Sequence, residues 1–548
     1  MRKARLPAGL AVLALLAGCA PEADAPAKDA PREAANTSPA VAEVVLRRGN
    51  GPEPDTLDPQ RAEDESSRDI IRDLYEGLVG ETPAGELTAG AAASWKVSED
   101  NLTWTFLLQP AGRWSNGDPV TAHDFVAGLR RAVDPGTASS SAALLHPIDG
   151  AAEIIAGRRP PETLAVEARG PLTLVIRLRS PTPYLLGLLT HPITFPVHRP
   201  SLEAHGAGFA RPGRLVSNGA YQLDEWTVHS HVQLRRNPHF REPPAIGVVR
   251  FYTFELPAAE LNRYRAGALD YTVQLPLSRF EWLRQNYADE LHTAPALSSQ
   301  FWLFNTRRPP TDDLRVRKAL NMAVDRRRLV EVVMASGDHP AYGLVPPGVA
   351  NYSAQLFEWH DWSMEARVET ARALLTEAGY GPDRPLRVEV HYNTNENLRR
   401  IAVAVTSMWR EHLGVESTLF NEEFRVMLSR RKDPDRWQVL RLAWAGDYND
   451  ASNFLEILAS DGAVNDTGYD DPRYEQLLDE AAVEQDPAQR RLLLESAERR
   501  MLEHYPILPL YHPVGKHLVK PWVRGYSGNV LNRTYSRHLS IDTAQRGF

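Results

Sequence analysis

Apolar and polar residues alternate with period two in Leu102-Thr103-Trp104-Thr105-Phe106-Leu107, in Leu172-Thr173-Leu174-Val175-Ile176-Arg177-Leu178 and in Val232-Gln233-Leu234-Arg235-Arg236. That is the pattern of strands with one buried face. Over 315–334, 363–378, 399–412 and 473–503 the period lengthens to that of a helix. In the last of these, Leu477, Leu478, Ala481 and Ala482 mark one apolar face, which resumes over 490–503 beyond Asp486-Pro487. Gly379-Tyr380-Gly381-Pro382 is a strong helix stop, and a strand over 386–391 follows at once. Strands and helices alternate, which predicts an α/β fold. No segment repeats at solenoid period.

The start of the chain has a different pattern. Arg2, Lys3 and Arg5 precede an apolar stretch over 6–16 that is too short to span a bilayer as a mature helix, and Leu16-Ala17-Gly18-Cys19 follows directly. This resembles the lipobox of bacterial prolipoproteins and implies a signal peptide over 1–18 with lipidation at Cys19; a plain secretory signal with an incidental cysteine is the alternative. More than one acyl chain there would give stable anchoring. Residues 19–43, rich in Ala, Pro and charge, read as a flexible tether that would hold the folded part on the order of 25 Å from a membrane. No later apolar run has the length and lack of charge of a membrane span. The expected location is therefore the cell envelope, on a periplasmic or cell-surface face.

The 548 residues, 43% hydrophobic and 24% charged, can bury more than one core. A net charge of −8, more negative still without Arg2, Lys3 and Arg5, argues against nucleic-acid binding. Cys19 is the single cysteine, so no intramolecular disulfide, cysteine zinc site or thiol nucleophile is available to the mature fold. The motifs H-E-x-x-H, G-x-S-x-G, Walker A and G-x-G-x-x-G are absent. His229 and His231 would share one face of a strand, as two metal ligands can, but a solvated face has the same pattern and no third ligand is near. Asp447-Tyr448-Asn449-Asp450 lacks the Gly and the distant Glu of a calcium loop. The chain is read as a protein without catalytic activity, cofactor or metal.

Several blocks recur in order along the chain: Leu57-Asp58-Pro59, Asp73-Leu74-Tyr75-Glu76-Gly77-Leu78, the run from Trp114-Ser115-Asn116-Gly117-Asp118 to Asp124-Phe125, Val216-Ser217-Asn218-Gly219-Ala220-Tyr221, Arg235-Arg236-Asn237-Pro238, Val316-Arg317-Lys318-Ala319-Leu320, Asp325-Arg326, Asp447-Tyr448-Asn449 and Leu518-Val519-Lys520-Pro521-Trp522-Val523. With them the chain from about 44 to 541 resembles the peptide/nickel class of ABC-transporter substrate-binding proteins (solute-binding protein family 5), most of all its oligopeptide-binding branch. The resemblance implies a two-lobed periplasmic-binding-protein clamp of class II type with an additional inserted domain. One discontinuous lobe would comprise 44–75, 199–297 and 515–548, the inserted domain 76–198 and the opposing lobe 298–514, with a hinge near Leu297 and Val514. The implied partners are short peptides, a permease of two membrane subunits with its ATPases, and the membrane through the lipid; the protein would act as a monomer.

The resemblance also assigns roles. Asp447 would receive the peptide's α-ammonium, Trp444, Ala445 and Gly446 would pair with its backbone, and Glu63, Asp64 and Glu65 would approach from the other lobe. Arg441 would receive the carboxylate, with Arg430 or Arg431 as second candidates, and Phe424 would wall a side-chain pocket. Taken alone, Asp447 is equally a turn residue, Trp444 a core residue, Glu63 to Glu65 a solvated loop and Arg441 half of a structural salt bridge. Met334 and Ser141 replace a lysine and a tyrosine of better-known members, which leaves peptide length and pocket shape open. Ser298 and Ala445 stand where some relatives carry a disulfide pair. Other ligands within the same fold are a murein peptide, an opine-like compound or a chelated metal, and a signalling or chaperone role in the envelope remains a further alternative.

Overall fold

The computed structural model describes residues 43–546 except 461 and 463, so the signal segment, Cys19 and nearly all of the tether lie outside the described residues. The period-two segments are strands. Thr103–Leu108 and Thr173–Arg177 pair antiparallel, Phe106 opposite Leu174, in a four-stranded sheet completed by Ala92–Val97 and Val166–Ala168. His231–Arg236 lies between Tyr221–Thr227 and Val248–Tyr252 in a second four-stranded sheet, with Val45–Gly49 parallel at its edge. The strand expected over 386–391 is Arg387–Asn393. It belongs to a six-stranded mixed sheet in the order His339–Pro340, Ile507–His512, Ser298–Phe304, Val439–Ala445, Arg387–Asn393, Glu416–Glu422.

Helix ends follow local chemistry. Ser363 caps Met364–Glu377 by accepting the Ala366 N–H, and Gly379 follows that helix at a φ of 83° that a side chain would strain. Pro472–Val483 and Pro487–His504 are separated where Asp486 accepts the Ala488 N–H and Pro487 opens the next helix. Two expectations change. The pattern over 315–334 is not one helix: Leu314–Met322 ends, Asp325 accepts the Arg328 N–H to cap a new start, and Leu329–Met334 widens into a π-helix. Arg326 holds this break in place, since its buried guanidinium donates to the Pro509 carbonyl at 2.8 Å and the Asn321 carbonyl at 3.0 Å. His229 is a turn residue with a φ of 59° and only His231 lies in the strand, so the two do not share a strand face.

Two large apolar cores result. One is built from chain between Leu46 and Tyr271 together with Tyr448, Val519, Val523 and Leu539. The other draws on Leu297 through Leu510 and is centred on the six-stranded sheet. In it Trp302 and Trp409 meet edge to face at 5.7 Å, and the Trp409 indole N–H donates to the Leu320 carbonyl at 2.9 Å, so the ring buries its area without leaving its donor unpaired. The segments that run between the cores, Leu291–Pro295 and Val514–Leu518, pair antiparallel with each other.

Candidate ligand-binding site

Strand Val439–Ala445 is paired along its whole length on one side, from Phe304 opposite Val439 to Ser298 opposite Ala445. On the other side the Arg387–Asn393 strand meets it only at Val439 and Leu440. The Gly446 N–H donates to the Leu297 carbonyl at 2.8 Å, and the antiparallel alternation then turns Trp444, Leu442 and Leu440 toward that neighbour. It turns the N–H and C=O groups of Arg441, Ala443 and Ala445 the other way; the pairing of Leu440 with His391 still takes the Arg441 N–H, and beyond it no strand of the described residues covers Ala443 and Ala445. Such an edge is a template for an added strand. Ser298 and Ala445, the places where the resemblance puts a disulfide pair, stand directly opposite each other.

Asp447 stands just past the end of this edge. Gly446 before it is required by close approach, since a Cβ there would fall 2.6 Å from Leu297. Asn453 Oδ1 accepts both the Asp447 N–H, at 3.3 Å, and the Trp444 indole N–H, at 2.9 Å. Arg533 donates to the Asp447 carbonyl at 3.1 Å while pairing with Glu81 at 2.6 Å and Thr190 at 3.2 Å. Tyr448 is buried and stacks on Tyr184, centroids 4.6 Å apart. The Asp447 carboxyl itself makes no ion pair among the described residues. Burial pushes its pKa up; the charges of Arg68 and Arg533 and a bond from Asn453 oppose this, and Glu65 adds to it.

That balance brings the acidic segment and Asp447 into one electrostatic neighbourhood. Asp64 caps helix Glu65–Leu74 by accepting the Ser67 N–H at 2.7 Å. Glu65 pairs with Arg72 at 2.6 Å and Arg68 at 3.1 Å. Burial raises its pKa, but Arg72, Arg68 and Arg533 together outweigh that and hold the carboxyl well below the usual range. Glu63 is exposed on the same turn.

Arg441, at the other end of the open edge, lines a cavity of about 430 Å³. Its guanidinium donates to Gln300 at 2.6 Å and Asn393 at 3.3 Å, and it makes no ion pair among the described residues, so it is not half of a structural salt bridge. Burial lowers its pKa, with Tyr511 acting in the opposite sense. Arg430 and Arg431 are not brought into this cavity. Arg430 pairs with Glu422 and Arg431 with Asp466, at 2.5 and 2.6 Å. Phe424 is 46% exposed at the start of helix Phe424–Arg431 and is likewise away from the cavity lining. Met334 does line it. Arg68, Arg533, Asn453, Gln300 and Asn393 escaped the reading of the sequence: Arg533, Gln300 and Asn393 reach the site from distant segments, and no motif announces Arg68 or Asn453, close though they are to Glu65 and Asp447.

A strand edge thus lies between a carboxylate and a guanidinium that make no ion pair among the described residues. Residues 86–466 match the family described as bacterial extracellular solute-binding proteins, family 5 Middle. The chain belongs to that family. It is 38% identical over 503 residues to the periplasmic oligopeptide-binding protein OppA of Escherichia coli K12, covering 91% of this chain and 92% of that one. Its fold matches the unliganded open form of the periplasmic murein tripeptide binding protein MppA, with a TM-score of 0.83, 36% identity and 91% and 98% of the two chains covered. It also matches Haemophilus influenzae OppA in complex with RPPGFSPFR, with a TM-score of 0.74, 33% identity and 91% and 99% covered. The family gives the fold expected from the sequence, a two-lobed clamp with an additional domain, and makes the chain a solute-binding protein rather than an enzyme.

Proposed function

We propose that this chain captures short peptides outside the cytoplasm and delivers them to an ABC importer while tethered to a membrane through Cys19. The observation that carries the reading is the open edge at Ala443 and Ala445 between Asp447 and Arg441, neither of which makes an ion pair among the described residues. An extended peptide antiparallel to this strand would bring its α-ammonium to Asp447 and its carboxylate toward Arg441, with main-chain hydrogen bonds between. Ordered water can fill what side chains leave empty, so sequence need not be read along the middle. At about 3.4 Å per residue the six steps from 441 to 447 correspond to roughly 20 Å, so about six residues is the upper limit for a peptide that meets both charges.

In this reading 44–75, 199–297 and 515–548 form one lobe, 76–198 the inserted domain and 298–514 the opposing lobe. The paired segments Leu291–Pro295 and Val514–Leu518 are the hinge about which the lobes close. The ammonium's charge would offset the desolvation that raises the Asp447 pKa, which makes closure on an amine favourable. The higher TM-score to an open form than to a peptide complex supports an open clamp here.

Native mass spectrometry of the soluble domain, purified from a peptide-rich medium, tests the ligand class. A heterogeneous set of short peptides supports it; a single murein-peptide mass narrows it to that ligand, and a non-peptide mass overturns it. For the anchor, Cys19→Ser should move the protein from the membrane to the soluble envelope fraction.

A further inference from the structure

The cavity at Arg441 has two unlike sides. On the polar side Lys516 also faces in, but its ammonium lies 2.6 Å from Asp338 and 2.9 Å from the Val514 carbonyl, and Asp338 further accepts the Val514 N–H and the Ser336 hydroxyl. The lysine is thus neutralised inside the protein. Arg400 is an exposed cation at the rim, held by Asn397 at 2.7 Å. Arg441 is left as the inward cation with only amide oxygens for company. The same cavity is also lined by the apolar side chains of Leu277, Val333, Met334, Leu398 and Ile401. Met334 and Ile401, 9% and 4% exposed, are held in the packed protein, while Leu277 is open to solvent at the edge.

We infer that this wall selects the last residue of the ligand: a peptide whose carboxylate rests on Arg441 is preferred when its C-terminal side chain is bulky and apolar, such as Leu, Met or Phe. The inference rests on the peptide reading above and adds a preference to it. The geometry places a lipophilic surface beside the group that takes the carboxylate, so the side chain on the same Cα is the one that meets it. An apolar side chain gains by leaving water there, whereas a charged one would lose hydration against a surface that offers it no partner.

Calorimetric titration of the soluble domain with Ala-Ala-Xaa and Ala-Ala-Ala-Xaa peptides, where Xaa is Ala, Leu, Phe, Lys or Asp, tests this, with Leu-Ala-Ala as the control for placement. Peptides ending in Leu or Phe should bind on the order of tenfold to a hundredfold tighter than those ending in Ala. Those ending in Lys or Asp should bind more weakly than those ending in Ala, and Leu-Ala-Ala should show no such gain. Met334→Lys, and separately Leu398→Lys on the less buried rim, should erase the preference for Leu and improve binding of peptides ending in Asp. Equal affinity across Xaa with tight binding of all peptides would overturn the selection and leave peptide capture standing. Failure of every peptide to bind would overturn both.

Discussion

The two ends of one strand edge hold charge in different ways. At Asp447 the fold braces the position from several segments: Asn453 holds the main chain, Arg533 holds the carbonyl, Tyr448 is pinned by Tyr184, and the charges of Arg68, Arg533 and Glu65 all reach the carboxyl. At Arg441 two neutral amide side chains touch the guanidinium, and a cavity of about 430 Å³ opens beside it. The first arrangement suits a group that every peptide carries in the same place. The second suits a terminus whose position and side chain vary. A receptor can thus be strict at one end and adaptable at the other with a single strand between.

The largest effect should come from breaking the strict end. Asp447→Asn should weaken peptide binding by a hundredfold or more, about 3 kcal/mol, as read by calorimetry. N-acetylated peptide should lose as much on the wild type and nothing further on the variant. The same substitution should raise the apo melting temperature at neutral pH. Its carboxyl has a folded pKa above the unfolded one, so the folded state loses stability as pH rises through that interval, and an amide escapes the loss.

A smaller loss is expected at the adaptable end. Arg441→Gln should weaken binding of free peptides by about tenfold, and C-terminal amidation should reproduce that loss on the wild type. If the losses at the two ends add, the ends act independently; strong coupling would show that Arg441 helps place the amine.

The pH dependence separates the ends again. Affinity should fall on the acid side as Asp447 protonates, beginning above the ordinary aspartate value of 3.8. On the alkaline side it should fall as the peptide amine loses its proton, from about 7.7 to 8.0, by up to tenfold per pH unit. Acetylated peptide should show neither limb in the same titrations.

The smallest effect lies outside the site. Glu498 is buried and accepts the Leu344 and Val345 N–H groups at 2.7 and 2.9 Å and the Tyr352 hydroxyl, and burial pushes its carboxyl up to about 7. Below about pH 4.5 both states hold the proton, and the penalty on the folded state grows from there to about 7. Glu498→Gln, whose oxygen can keep the two N–H bonds while its NH2 donates to the Tyr352 oxygen, should raise stability at pH 7.5 but not at pH 4.5. The wild-type slope between should be roughly 1 kcal/mol per pH unit in chemical denaturation.

Much of this was legible in the sequence. The period-two segments at 103–108 and 173–177 became strands because alternation alone fixes which face is buried, and Asp486-Pro487 set a helix boundary by local chemistry. The broken helix over 315–334 was not legible, because one acceptor that Arg326 uses, the Pro509 carbonyl, belongs to the strand Ile507–His512, almost two hundred residues on. The edge at 441–445 was hidden for a related reason: it depends on where Arg387–Asn393 parts from Val439–Ala445. Arg430 and Arg431 illustrate the converse, since sequence places them near Arg441 while their ion pairs with Glu422 and Asp466 hold them elsewhere.

Residue-resolved amide exchange with and without a short free peptide tests the central claim most directly. The account predicts that the Ala443 and Ala445 amides become protected on binding, while Leu442 and Trp444, already turned toward Ser298–Phe304, and Arg441, already within the pairing of His391 with Leu440, change little. Peptide binding that leaves the Ala443 and Ala445 amides exchanging as in the free protein would contradict it.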